Sequence, residues 1–140
     1  VFLIKKILDK KTISVIKYSD QTIIATRCKV ANSFFSRLQG LIGKKILQTG
    51  EGLWITRCKE IHMWWMKIPI DVIFLKKYRK LQHDRKYYEI TSFHKNLKPW
   101  HLLPVRDSHA SDTLELPVGS VERFELQKGT LLELQERVAP

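Results

Sequence analysis

Cys58, Glu60 and His62 stand at alternate positions in the stretch 57–75, which reads RCKEIHMWWMKIPIDVIFL. A thiol, a carboxylate and an imidazole are groups from which a nucleophile–base cluster or a metal site can be built. If the chain from Cys58 to Met66 is extended, these three share one face with Trp64 and Met66. Lys59, Ile61, Met63, Trp65 and Lys67 then share the other. Both chemistries are short of a part. Residues four apart on a strand lie ~13 Å from each other at ~3.3 Å rise per residue, so Cys58 reaches His62 only across a bend or bulge. A zinc site takes three or four ligands, and the sequence offers no companion pair and no C-x-x-C. No catalytic residue, metal ligand or cofactor is assigned. His62 is expected to be buried and hydrogen-bonded to backbone or to a carboxylate.

Asp71 lies in IPIDVIFL, where every neighbour within three positions is apolar or proline. An unpaired carboxylate there would cost several kcal/mol, so it must meet a cation or N–H donors, or line a pocket. By type alone, His62, Lys67 and Arg37 are its candidate cationic partners; an ion pair or a backbone clamp is preferred over a binding role. Trp64 and Trp65 would face opposite sides of a strand, leaving one able to stack on a base, sugar or peptide aromatic beside Lys59 and Lys67. Met63 and Met66 would soften the rim of such a pocket.

The elements that must position these residues are short. Phe2 to Leu8 and Thr12 to Tyr18 read as a hairpin about Asp9-Lys10-Lys11, and Thr22 to Val30 as a third strand. Alternation puts Ile24, Thr26 and Cys28 on one face of it, and makes Cys28 a packing residue. Asn32 or Ser33 can cap a short helix with a Phe34, Phe35, Leu38 and Leu41 stripe, ended by Gly40 and Gly43. Thr49 to Gly52 is a loop, and Leu53 to Thr56 begins the next strand. After Pro69, Ile70 to Leu75 is a strand leading through KKYRK to a tip at Gln82-His83-Asp84, with Lys86 to Phe93 returning. Thr113 to Leu116 and Thr130 to Leu134 are further strands, and Ser120 is the expected N-cap of one helical turn.

The net charge is +11 over 140 residues. Residues 1–104 hold 21 Lys or Arg against 7 Asp or Glu, and residues 105–140 hold 4 against 7. Such a basic body suits an acidic partner: nucleic acid, an anionic surface or another protein. The long hairpin gathers Lys76, Lys77, Arg79, Lys80, Arg85 and Lys86, which could grip a phosphate backbone or merely block edge pairing. Cys28 and Cys58 are the only cysteines; two make no disulfide framework, and reduced thiols are expected. No apolar run approaches the ~20 residues of a membrane span. Cytoplasm is the default compartment, although the missing initiator methionine leaves room for a trimmed leader.

The run C-x-x-I-H-M-x-x-M-x-x-P-I-D-V-x-F-L over 58–75 resembles the signature of the DUF192 family of uncharacterised bacterial and archaeal proteins. RLQGLIGK (37–44) is similar to a second family block, with Lys44 where the family has arginine. TLELPVGSVERFELQKG (113–129) is similar to a third, and Pro99-Trp100 matches a P-W pair. The positions that fit are Arg37, Gly40, Cys58, His62, Met66, Pro69, Asp71, Pro99, Trp100, Glu115 and Gly119. The resemblance spans about residues 30–135 and implies a β-rich domain, but no reaction. It also sets apart the long basic hairpin and the first thirty residues.

Together these readings predict a mainly β, single compact sandwich or jelly-roll-like barrel of about eight short strands with one short helix. Residues 1–30 are expected to be an N-terminal hairpin extension packed on a DUF192-like domain over 31–140, with the protein a monomer. The expected function is a non-enzymatic binding module. Its pocket for a small ligand, carbohydrate or peptide would be drawn from Arg37, Cys58, His62, Trp64, Trp65, Met66, Asp71 and Trp100. The alternatives are nucleic-acid or anionic-surface binding by the basic hairpin, and a thiol- or histidine-dependent hydrolase.

Overall fold

The computed structural model describes residues 12–32, 46–63, 66–81 and 84–136. Their strands are β1 (Thr12–Lys17), β2 (Ile23–Ala31), β3 (Gly50–Ile55), β4 (Glu60–Ile61), β5 (Ile70–Tyr78), β6 (Lys86–Leu97), β7 (Val105–Arg106), β8 (Asp112–Pro117) and β9 (Leu131–Glu136). One helical turn, α1 (Ser120–Arg123), lies between β8 and β9. Seven strands close into a barrel in the order β1-β2-β3-β8-β5-β6-β9, and β4 pairs with β7 alone. All pairings are antiparallel except β2 with β3. Closure leaves the barrel without open sheet edges. The predicted β-rich barrel is therefore what forms.

The period-two alternation of β3 and β5 divides the apolar residues between two cores. Trp54, Ile73 and Leu75 point into the barrel with Ile13, Ala25, Cys28, Leu114, Leu116 and Leu132. Leu53, Ile55, Val72 and Phe74 point outward, into a second core with Ile61, Met63, Met66, Ile68, Leu97 and Val105. The described residues of the 58–69 segment thus form a cover over the outer barrel wall. At Gly52 the packing is tight, and a side chain would fit only if its neighbours gave way by a few tenths of an ångström. A Cβ there would come within 3.1 Å of Leu116 Cδ2 and 3.3 Å of both Cys28 Sγ and the Glu115 carbonyl oxygen.

Several local expectations change. β1 and β2 are not an appended hairpin within the described residues, because β1 pairs with β9 and β2 with β3 as barrel staves. The expected alternation along β2 fails at a bulge between Ala25 and Arg27, which turns Ala25 into the core alongside Ile24 and Cys28. Gly50 to Gly52 belong to β3 rather than to a loop. The chain from Cys58 to Met66 is not one strand: among its described residues only Glu60–Ile61 form a strand, and a hydrogen bond from Met66 N–H to the Met63 carbonyl (3.1 Å) accompanies burial of both methionines in the same core. Ser120 does not cap α1. Gly119, at φ 91°, holds the N-cap position, and the Ser120 hydroxyl donates to the Pro117 carbonyl at 2.6 Å. The strand expected at Phe2 to Leu8, the helix expected at 33–41 and the hairpin tip at Gln82-His83 lie outside the described residues.

Candidate functional site

The two ends of the barrel differ. At one end lie the close of β1, the start of β5 and the end of β8, with Val121 of α1 and the following Leu126 packed into the interior core. Asp71, 1% exposed, organises this closure. Its Oδ2 accepts the Val121 N–H at 3.0 Å, an amide in the first turn of α1 that has no partner within the helix. Its Oδ1 accepts the Asn96 N–H at 2.8 Å. That amide is freed because the β5–β6 register slips between the pairs Ile70↔Leu97 and Val72↔His94, with Asn96 at φ 49°. Of the roles open to Asp71, the structure shows the backbone clamp.

The other end is formed by the starts of β1, β6 and β8 and the ends of β2, β3, β5 and β9. Here a cavity of about 530 Å³ opens, lined by Ile13, Val30, Trp54, Thr56, Tyr88 and Leu134, with Asp84, Arg85, Lys86, Gln135 and Glu136 also around it. Its aromatic wall is built: the Trp54 and Tyr88 rings meet edge-to-face at 4.7 Å between centroids. The Trp54 indole Nε1–H donates to Asp112 Oδ2 at 2.7 Å, so a carboxylate that is 3% exposed fixes the ring. Burial, with the Asp112 charge beside it, pushes the Tyr88 hydroxyl up to about 12 and keeps it a neutral donor.

The basic hairpin rises beside this mouth. A second cavity of about 300 Å³, lined by Lys77, Tyr78, Arg79, Leu81 and Tyr87, shares Arg85, Lys86 and Tyr88 with the first. Half of the hairpin's cations are neutralised. Arg85 meets the buried Glu133 at 2.8 Å, Lys76 meets Glu89 at 3.6 Å and Lys86 meets Glu136 at 3.8 Å. Lys77, Arg79 and Lys80 form no ion pair among the described residues.

The residues singled out from the sequence are dispersed. Met66 is buried in the outer core, Asp71 is at the closed end, and Trp100 is 59% exposed on a surface turn. Cys58 is half-buried; its Sγ lies 3.2 Å from the Glu60 carbonyl, and it edges a shallow basin of about 550 Å³ with Arg57, Lys59, Glu60, Arg106 and Ser111. That basin holds no histidine in its lining. His62 is half-buried, while Arg37, Trp64 and Trp65 lie outside the described residues. Cys28 is sealed in the barrel, where burial pushes its thiol up to about 12, and both cysteines are free. No group of three or more His, Cys, Asp or Glu among the described residues is placed to hold a metal ion. No helix among them is long and apolar enough to cross a membrane.

The largest of the four cavities, about 930 Å³, is a broad groove at the closed end lined by Lys17, Tyr18, Phe93, Lys95, Glu122 and Glu125 among others. Two of its three cations are engaged: Lys17 Nζ donates to the Phe124 carbonyl at 3.0 Å, and Lys95 pairs with Glu122 at 3.3 Å. The barrel mouth offers the better-defined apolar surface. Sequence reasoning missed the mouth because Trp54, Tyr88 and Asp112 come together only when the barrel closes.

A further buried carboxylate sets an acid limit on the fold. Asp107 accepts hydroxyl hydrogen bonds from Thr91 (2.6 Å) and Ser92 (2.5 Å) and the His109 N–H (2.9 Å). Burial alone would push its carboxyl up, but these donors outweigh it and hold the group below its ordinary 3.8. A carboxyl lowered in the folded state contributes stability that is present above the unfolded value and lost as pH falls through the folded one. Urea unfolding should therefore show Asp107→Asn less stable than the wild type at pH 6. The gap should narrow once pH drops below about 4; a gap independent of pH would contradict this account.

A model of the DUF192 family, described as Uncharacterized ACR, matches residues 15–134. The match takes in half of β1 and all of β2, so the family domain is not confined to 31–140. A crystal structure of a candidate transcription regulator from Sinorhizobium meliloti 1021 has the same fold, with a TM-score of 0.67 and 23% identity over 89% of this chain and 92% of that one. A protein of unknown function from Novosphingobium aromaticivorans DSM 12444 aligns with a TM-score of 0.66 and 20% identity, over 86% of this chain and 82% of that one. At these identities the likeness carries the fold alone. No curated protein matches the chain. Ordered motifs, barrel and matched span agree, and the chain belongs to the DUF192 family of uncharacterised proteins.

Proposed function

We propose that this protein is a non-enzymatic binding module that takes a small amphipathic ligand in the open mouth of its barrel. The observation that carries this reading is the cavity of about 530 Å³ over the Trp54–Tyr88 wall. Its volume falls in the range of small-molecule sites, and barrel mouths are favoured places for them. Ile13, Val30 and Leu134 supply apolar contact. Thr56, Gln135 and the Tyr88 hydroxyl supply a few polar atoms that can fix a ring or short chain in one orientation. This moves the pocket away from the Cys58–Asp71 stretch. There Met66 is core, Asp71 is spent on backbone amides, and none of the four cavities above is lined by His62, Met66, Asp71 or Trp100. The hydrolase alternative loses support because the basin beside Cys58 presents no imidazole.

The test is a two-dimensional nitrogen–proton NMR titration with a set of small aromatic carboxylates, monosaccharides and short peptides. Binding at the mouth would move the Trp54 indole N–H together with the backbone amides of Ile13 and Leu134. Shifts confined to the closed end, or none at all, would overturn the reading. A second reading, an anionic polymer held by the hairpin, is favoured by one observation: Lys77, Arg79 and Lys80 are left without ion pairs among the described residues. It requires an affinity for nucleic acid that falls steeply with salt.

A further inference from the structure

The segment between β6 and β7 is the most conspicuous apolar surface of the described residues. Leu97 and Val105 anchor it in the outer core. Between them Trp100 is 59%, Leu102 78% and Leu103 73% exposed. The His101 N–H closes a turn on the Lys98 carbonyl at 3.2 Å. Pro99 holds the second position of that turn, and Trp100, at φ 61°, the third. This is the type II pattern, in which proline is favoured second and glycine third. A bulky residue in that left-handed conformation is strained. The strain is spent on holding an indole outward in water, beside two leucines that are also outward. Side chains this exposed add little to the core, and an exposed apolar surface of this kind marks a contact with something outside the fold.

The occupant can be argued from charge and shape. Residues 95–106, KNLKPWHLLPVR, carry Lys95, Lys98 and Arg106 and no carboxylate. Lys95 is paired with Glu122; Lys98 and Arg106 form no ion pair among the described residues. The three apolar side chains project as a knob, and none of them lines any of the four cavities. Tryptophan belongs at the headgroup level of a bilayer, leucines below it and cations against lipid phosphates. A second copy of so basic a chain would meet the knob with like charge.

We infer that the 98–104 turn is a membrane-docking loop, which inserts Trp100, Leu102 and Leu103 into the interface of an anionic bilayer while Lys98 and Arg106 engage headgroups. The inference is independent of the ligand at the barrel mouth.

Vesicle flotation with the full chain tests it, using phosphatidylcholine vesicles alone and the same vesicles with about one-third phosphatidylglycerol. The chain should float with the anionic vesicles far more than with the neutral ones, with a blue shift of tryptophan emission. Leu102→Ser/Leu103→Ser should weaken that binding roughly tenfold or more, in line with removing two buried leucines. Because both positions are exposed, thermal unfolding should show the variant as stable as the parent. Lys77→Ala/Arg79→Ala/Lys80→Ala, which strips the hairpin's unpaired cations, should leave most of the binding and the blue shift. No flotation with anionic vesicles would overturn the proposal. So would binding lost through the hairpin variant but untouched by the leucine pair, or a loop that captures an acidic protein while ignoring lipid.

Discussion

Asp71→Ala is expected to lower the unfolding free energy by roughly 2–5 kcal/mol, because the hydrogen bond from the buried Val121 amide to a charged group contributes about 1.5–3 kcal/mol and the one from the exposed Asn96 amide less. The substitution releases two backbone amides at once, Val121 N in the first turn of α1 and Asn96 N at the β6 irregularity. The Val121 amide cannot turn to solvent without opening the closed end of the barrel, since Val121 is 2% exposed, whereas Asn96 is exposed and its amide can turn to water. Asp71→Asn keeps the volume and one acceptor, but points an amide N–H at a backbone N–H; about half the alanine effect is expected. Against the ~5–15 kcal/mol that holds such a domain folded, either change is large. Urea unfolding measures the loss, and hydrogen exchange locates it: protection should fall first at Asn96 and Val121. An Asp71→Asn variant with parental stability would show that the clamp adds nothing.

The same residue shows what was legible beforehand. A carboxylate inside IPIDVIFL had to be satisfied, and that much follows from burial alone. Its partners are backbone amides, one freed by an irregular strand pairing and one by a helix start, and neither is encoded by a side-chain type. Strand positions and the β-rich barrel were readable because turn residues and alternation recur along the chain. The faces were readable only where strands are regular. A bulge after Ala25 and a turn at Met63–Met66 each break the period: the first buries Ala25 and the second buries Met66 on faces the alternation did not give them. The signature stretch drew attention through its cysteine, histidine and tryptophans. Its described residues are largely the lid of the outer core, where the Met63–Met66 turn buries Met66 with Ile61 and Met63 and removes the imagined common face. The mouth drew no attention because Trp54, Tyr88 and Asp112 sit on β3, β6 and β8, far apart in sequence and individually ordinary.

Trp54 should be the most sensitive position at that mouth. Trp54→Ala removes a side chain that is 1% exposed, for which truncation costs about 3–5 kcal/mol. Trp54→Phe separates the contributions. It preserves a ring against Tyr88 but takes the indole donor from Asp112, leaving a carboxylate that is 3% exposed without its 2.7 Å partner. The expected cost is about 1.5–3 kcal/mol, the range for a hydrogen bond to a charged group. Combining Trp54→Phe with Asp112→Asn should cost less than the two changes summed, because the second removes the charge that the first stranded. Tyr88 supplies an independent readout. Its hydroxyl stands near 12 through burial first and the Asp112 charge second. Asp112→Asn should therefore lower its titration, followed by tyrosinate absorbance, without returning it to the ordinary value of 10.0. The linkage has a sign: a raised tyrosine contributes stability that is full below its unfolded value and lost as pH climbs through the folded one. The parent should lose stability between about pH 10 and pH 12, and Asp112→Asn should lose less over that range. Equal losses in both proteins would remove Asp112 from the electrostatics of the mouth and leave burial as the whole cause.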